Sequence, residues 1–360
     1  MPRAWWALTA VAVAAPVMAN DKPYAIVPGF KVSPEVGVGV GAVAFHSALP
    51  QPGSRFDLKL LATTRSQVDM RLRHRNLDFL SSGWELRAEA EGLRFPDSYF
   101  GGGNNPSDAD ETYYTPVGGH LSLQMLRSLS GPFRFFLAGK VESYSIGNVR
   151  KADGDSNAAD IFTSSVRGRG GGLSDLWEAG VECDTRDNPD VPREGIYAGH
   201  RIGSSLLGEF DYGSSETWVI VYRPFGEHWE TSGRLWQRTL TDTPPFFDQP
   251  WLGDENVLRG VNHKRFRDAS AQAAQFEIRY GFPLALPILD SWLGHDWQLA
   301  AFAEAGRVGK DFAAASEADV HLSGGVGGRL LIGKRLGAIR GDLGFSQYGF
   351  ALIIDFNQAF

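Results

Sequence analysis

The feature that most constrains this chain is a two-residue alternation of apolar and charged side chains, repeated along most of its length. Within 84–92, Trp84, Leu86, Ala88 and Ala90 fall on one side of an extended backbone, and Glu85, Arg87, Glu89 and Glu91 on the other. Asp69, Arg71, Arg73 and Arg75 share a face in 68–76, and Val181, Cys183 and Thr185 alternate with Glu182, Asp184 and Arg186. Long segments of helical period are absent. Two folds accept this pattern. A soluble sandwich puts the charged face outside and the apolar face in a core; a transmembrane barrel turns the apolar face to lipid and the charged face to a wet lumen.

Strand length and loop parity favour the barrel. Strands are expected at 23–32, 36–47, 54–64, 67–77, 84–95, 113–128, 132–147, 173–187, 195–209, 213–225, 229–242, 270–284, 296–307, 319–333, 336–346 and 348–358. That is about sixteen, an even number, and many exceed the five or six residues usual in globular sheets. If the first strand runs outward, the four longest connections (96–112, 148–172, 243–269 and 308–318) all lie on the outer side. Most opposite connections are short, 285–295 being the exception. Short periplasmic turns and long outer loops characterise outer-membrane barrels. The expected fold is all-β: a single transmembrane antiparallel β-barrel over 20–360.

The ends agree. Residues 1–19 have the form of a secretory signal peptide: Arg3, an apolar run Ala4–Ala15, and the small-residue site Val17-Met18-Ala19. The run is too short for a membrane anchor, which needs about 20 apolar residues. At the other end Phe350, Leu352, Ile354 and Phe356 alternate before a terminal Phe360, in the manner of an outer-membrane sorting signal. A mean hydropathy of −0.21 would suggest a water-soluble chain, but alternation hides a lipid-facing surface. The net charge of −7 argues against nucleic acid, and a single cysteine, Cys183, excludes an intramolecular disulfide. The run Gly328–Arg335 lacks the Ser or Thr of a phosphate-binding loop after Lys334, and Asp153-Gly-Asp-Ser-Asn lacks the Gly and Glu of a calcium loop. No catalytic Ser/His/Asp set, metal site or cofactor site stands out.

Five motifs, in order, carry a resemblance. They are Val32-Ser-Pro-Glu-Val-Gly-Val-Gly-Val-Gly; Tyr99-Phe-Gly-Gly-Gly-Asn with Tyr113; Asp184-Thr-Arg-Asp-Asn-Pro-Asp-Val-Pro-Arg-Glu-Gly; Leu258-Arg-Gly-Val with Arg265-Phe-Arg-Asp; and Phe302-Ala-Glu-Ala-Gly. Together they resemble the barrel half of the outer-membrane assembly-factor family, the BamA/TamA type or bacterial surface antigens. They are similar to its first hairpin, third outer loop, turn after the eighth strand, sixth outer loop and thirteenth strand. Val261 stands where the loop motif has an aromatic residue, and Glu304 where the strand motif has Asp. The periplasmic repeat domains usual in the family have no counterpart between Asn20 and the first strand.

The resemblance implies that the sixth outer loop folds into the lumen, where Arg259, followed by Gly260, meets Glu304 with Glu277 beside it. Arg265, Arg267 and Asp268 belong to the same loop-locking set. A bidentate arginine–carboxylate pair would hold the loop rather than do chemistry. Asp184, Arg186, Asp187, Pro192 and Gly195 are expected to form a structural turn, with Arg186 paired to Asp184. The implied function is insertion, assembly or translocation of outer-membrane proteins or lipids, not enzymatic catalysis. Implied partners are outer-membrane lipid, unfolded barrel precursors or exported polypeptide, and a separate periplasmic protein. The first and last strands would meet at a poorly paired seam, a template for a client strand. The alternative is a passive channel or structural pore, whose lumen would be charged in the same way.

Overall fold

The computed structural model describes residues 24–33, 37–49, 53–151, 161–189, 191–284, 296–331 and 338–356. The expected leader and Phe360 lie outside the described residues. The wall consists of β1 (Tyr24–Ser33), β2 (Gly37–His46), β3 (Ser54–Thr63), β4 (Val68–Phe79), β5 (Trp84–Arg94), β6 (Thr112–Ser130), β7 (Phe133–Lys151) and β8 (Gly171–Asp184). It continues through β9 (Gly195–Ser204), β10 (Gly213–Phe225), β11 (Trp229–Leu240), β12 (Ser270–Pro283), β13 (Asp296–Gly309), β14 (His321–Leu331), β15 (Ala338–Ser346) and β16 (Gly349–Phe356). Each strand pairs antiparallel with the next. Val32 of β1 pairs with Ile354 of β16, which closes the sheet into a sixteen-stranded barrel.

The alternation read from the sequence decides which side chain faces which way. Arg71 lies opposite Glu91, and Arg73 opposite Glu89, across the β4–β5 ladder. The Arg71 Nε donates to Glu91 at 2.8 Å, Arg73 pairs with Glu89, and Arg75 Nε donates to Glu85 at 2.7 Å. His120 of β6 completes the row, 2.8 Å from Glu89 and 3.1 Å from Glu91. The opposite face carries Leu121, Leu123, Val181, Leu235 and Leu352, all exposed to the surroundings of the barrel. At the periplasmic end, rings line the outer surface: Phe225 stacks on Trp229, and Trp229 packs 4.9 Å from Tyr280. An aromatic girdle at the membrane border is the usual companion of an apolar band. No helix among the described residues is long and apolar enough to cross a membrane, so crossing falls to the strands.

Two strands stop earlier than the pattern alone suggests, each because a carboxylate takes over backbone donors. β8 ends at Asp184 rather than 187: the Asp187 side chain accepts the N–H groups of Arg193 and Glu194 at 3.0 and 3.1 Å, turning the chain. β9 ends at Ser204 rather than 209, because Asp175 of β8 accepts the N–H groups of Leu206, Leu207 and Gly208 at 2.6–3.1 Å. The third outer loop adds a short strand, Asp97–Tyr99, against β6.

Single cysteines replacing Arg71, Glu89 or Glu182 in a Cys183→Ser background should react with a small aqueous thiol reagent, whereas those replacing Leu86, Ala88 or Leu352 should be shielded by lipid. Equal reaction of both sets would indicate a soluble sandwich. Leu123→Arg, opposite Ala88 near mid-membrane, should cost about 2–4 kcal/mol of folding stability.

Candidate functional site

The connection from β11 to β12, residues 241–269, folds back into the barrel. Its apolar residues, Leu252, Val257, Leu258, Val261 and Phe266, are buried against Ala271, Ala273 and Val308 of the wall. Val261 therefore fills its place as an ordinary core residue. Two short strands, Trp251–Leu252 and Phe266–Arg267, pair with each other and narrow the loop at its neck. Between them the backbone turns through Leu258 (φ 53°), Arg259 and Gly260 (φ 98°), and aims Arg259 at the wall.

Arg259 is completely buried, and three carboxylates share it. Its Nε donates to Glu304 at 2.9 Å, while its Nη1 lies 3.0 Å from Glu277 and 2.7 Å from Asp342. The backbone N–H of Arg259 also donates to Glu304, at 2.6 Å. The guanidinium carbon sits 3.4 Å from the centre of the Phe302 ring. The structure thus brings Arg259, Glu304 and Glu277 together, but in a different pattern from a planar two-on-two fork. Glu304 holds the side chain with one oxygen and the loop backbone with the other, and Asp342 is a third acid that the motif did not reveal.

Strand register supplies the remaining partners. Gln275 and Ser323 stand directly across from Glu304 on β12 and β14, and donate to it at 2.8 and 3.1 Å. Glu277 also receives Arg279 at 2.6 Å and Arg329 at 3.1 Å; Asp342 also pairs with Arg329. Arg340 lies 3.6 Å from Asp342 and 3.4 Å from Asp355. Removing charges from water costs several kcal/mol per ion, and only dense, well-aligned pairing recovers it. Here each acid around Arg259 has another donor, so one loop residue joins β12, β13 and β15 directly, and Ser323 and Arg329 bring in β14.

The close approach depends on two glycines. A Cβ on Gly260 would stand 2.7 Å from the backbone of Gly344 and Phe345, and a Cβ on Gly344 would stand 2.6 Å from the Arg259 carbonyl. The loop backbone therefore lies directly on that of β15, and Ser346 donates to the Gly260 carbonyl at 2.7 Å. Gly344 carries no recognisable motif; only its inward parity beside Asp342 could have marked it.

The other expected loop residues lie apart from this cluster. Arg265 binds Asp108 and the Pro106 carbonyl of the third outer loop, and its guanidinium packs 4.5 Å from the Tyr348 ring centre. Arg267 donates to the Phe246 carbonyl at 3.3 Å, and its own carbonyl accepts from Gly103 at 2.8 Å. Asp268 accepts the neighbouring Ala269 N–H at 2.8 Å and joins no lumenal pair. Lys264 Nζ reaches Asp97 at 2.7 Å. Burial would raise the Asp97 carboxyl, but Lys264, His263 and Arg267 outweigh it and hold it at about 2. Its stabilising effect is thus complete above the ordinary value of 3.8 and lost as pH falls towards about 2. These contacts join the third and sixth outer loops above the lumen. Tyr99 belongs to the same cap, packed with Tyr114, Phe162 and Phe246.

In the periplasmic turn, Arg186 grips Asp184 with two bonds of 2.9 Å, and its guanidinium lies 4.3 Å from the centre of the Tyr197 ring. Pro192 is buried, and Gly195 takes φ 115°, where a Cβ would strike the Thr185 carbonyl at 2.4 Å. Cys183 is half-buried on the outward parity, opposite the inward Glu182.

Comparison with known proteins adds a family. The Omp85 superfamily domain matches residues 53–350. Among solved structures, the chain is similar to BamA from Haemophilus ducreyi lacking POTRA domains 1–3, with a TM-score of 0.61 and 13 % identity over 93 % of this chain and 69 % of that one. It is similar to CdiB from Acinetobacter baumannii (TM-score 0.58, 12 % identity, 92 % and 59 % covered) and to CdiB from Escherichia coli (0.63, 9 %, 93 % and 62 %). At such identities the likeness is one of fold, and the chain spans 59–69 % of the length of those proteins. No curated protein sequence matches.

Gly344→Ala should displace the sixth loop although it removes no charge. We expect new protease cleavage at Lys264 or Arg265, whereas Gly341→Ala, where a Cβ meets open space, leaves the loop protected. Equal protection in both variants would mean that the backbone contact does not hold the loop.

Proposed function

The chain belongs to the Omp85 superfamily, and from that premise we propose that this outer-membrane barrel inserts, assembles or translocates polypeptides, accepting an unfolded client strand at the β1–β16 seam. The observation that carries this reading is the contrast between seam and lumen. β15 and β16 stay in register from Ser346↔Gly349 to Ile339↔Phe356, whereas among the described residues β1 and β16 are paired only at Val32↔Ile354. Unpaired backbone groups at such an edge can template an added strand. The lumen, by contrast, is obstructed by the sixth loop and its buried ion pairs, which speaks against a permanently open pore. The lock of Arg259 on Glu304, Glu277 and Asp342 would keep the plug seated while the wall opens sideways. A separate periplasmic protein would deliver the client.

A disulfide between Val32→Cys and Ile354→Cys in a Cys183→Ser background should block insertion of a barrel precursor into proteoliposomes, and reduction should restore it. Undiminished insertion with the seam closed would contradict the proposal. Ion conductance without any insertion, oxidised or reduced, would favour the passive channel.

A further inference from the structure

Most arginines on the lumenal face are matched by an acid: Arg71 with Glu91, Arg73 with Glu89, Arg134 with Glu182, Arg201 with Glu216. Several arginines near the outer rim are not, and three of these lie close to one another. Arg65, Arg94 and Arg150 form no ion pair with any described carboxylate. Two of them lie by Tyr113 and the third, Arg94, beside the turn that carries Arg65. The Arg150 guanidinium lies 5.6 Å from its ring centre, and Arg65 is within electrostatic reach of its hydroxyl. Arg94 donates to the carbonyl of Ser66, the neighbour of Arg65. Glu111 is within electrostatic reach of Arg65 and accepts a hydrogen bond from Ser98 at 2.8 Å.

Their position relative to lipid is set by parity and height. Arg94 ends the outward face of β5 that begins at Trp84, and Tyr113 stands across from Arg150 between β6 and β7. A strand rising ~3.3 Å per residue at a tilt of about 40° climbs roughly 25 Å from Trp84 to Arg94, the height of the apolar band in such barrels. Val68 stands level with Arg94, and below it the band is strongly apolar: Met70, Leu121 and Leu123 are 53, 64 and 57 % exposed. Guanidiniums without an ion pair to a described carboxylate, above lipid-facing aliphatic side chains, match an amphiphile with phosphate at its head and acyl chains beneath. Arginine is well suited to bidentate contact with phosphate oxygens.

We propose that Arg65, Arg94 and Arg150, at the outer end of β4–β7, bind the phosphorylated headgroup of an outer-leaflet lipid whose acyl chains lie on those strands. The site goes beyond the assembly reading, since it concerns the outer wall away from lumen and seam. The test titrates the full-length protein in detergent with a diphosphorylated, multiply acylated glucosamine disaccharide lipid, and with the same lipid stripped of phosphate. R65Q/R94Q/R150Q should weaken binding of the phosphorylated lipid by about a hundredfold, taking each basic residue near a lipid surface as worth about 1 kcal/mol. The phosphate-free lipid should bind wild type and variant alike, and inorganic phosphate should compete poorly. Folding is checked by heat-dependent gel mobility. If the triple variant does not fold, R150Q alone, near the exposed end of β7, should still weaken binding several-fold. Unchanged binding in the folded variants, or equal affinity for the phosphate-free lipid, would overturn the proposal. Full displacement by inorganic phosphate would also overturn it, by identifying a free-anion site instead.

Discussion

A buried arginine must be surrounded by acids, and that requirement organises the interior of this barrel. Arg259 arrives on a loop, while Glu277, Glu304 and Asp342 come from β12, β13 and β15, so the charge cannot be satisfied until those strands are in register. The acids in turn receive Arg279, Arg329 and Arg340, which extends the cluster towards the periplasmic side. Guanidinium suits this task because several planar donors can face different partners at once; an ammonium would supply charge without that directional set. Replacing one acid leaves Arg259 with two others, whereas replacing Arg259 removes the loop side chain that all three acids share.

The backbone contact explains why the loop motif couples arginine to glycine. The Arg259 side chain can span the gap to three acids only if its own main chain lies against β15, and Gly260 and Gly344 together leave that space. The outer-loop contacts of Arg265, Arg267 and Lys264 then secure the loop from above. Lumenal lock and outer cap are two separate attachments of one segment.

Most of the wall was legible in the sequence because a period of two is a local property: Glu85 and Leu86 reveal opposite faces without any knowledge of their neighbours. The expected strands and the observed ones agree closely for that reason. The strand ends that differ depend on Asp175 and Asp187, whose effect on the backbone is visible only once the chain has turned. Arg259 and Glu304 could be paired through the resemblance of their motifs. Asp342 and Gly344 could not, because their importance comes from a register between β14, β15 and a distant loop. Arg265 and Arg267 look like Arg259 in sequence, yet Arg265 faces the third outer loop and Arg267 the Phe246 carbonyl of its own loop.

The most direct test of this account is a double-mutant cycle on Arg259 and Glu304, measured by denaturant unfolding of the barrel in lipid vesicles. Arg259→Ala should cost about 3–5 kcal/mol, because it takes a charged partner from three buried acids at once, and Glu304→Ala should cost less, because two acids remain near the guanidinium. The double variant should be little worse than Arg259→Ala alone, a strong coupling. Simple addition of the two single effects would show that the residues act independently, and the central role given to Arg259 would be wrong.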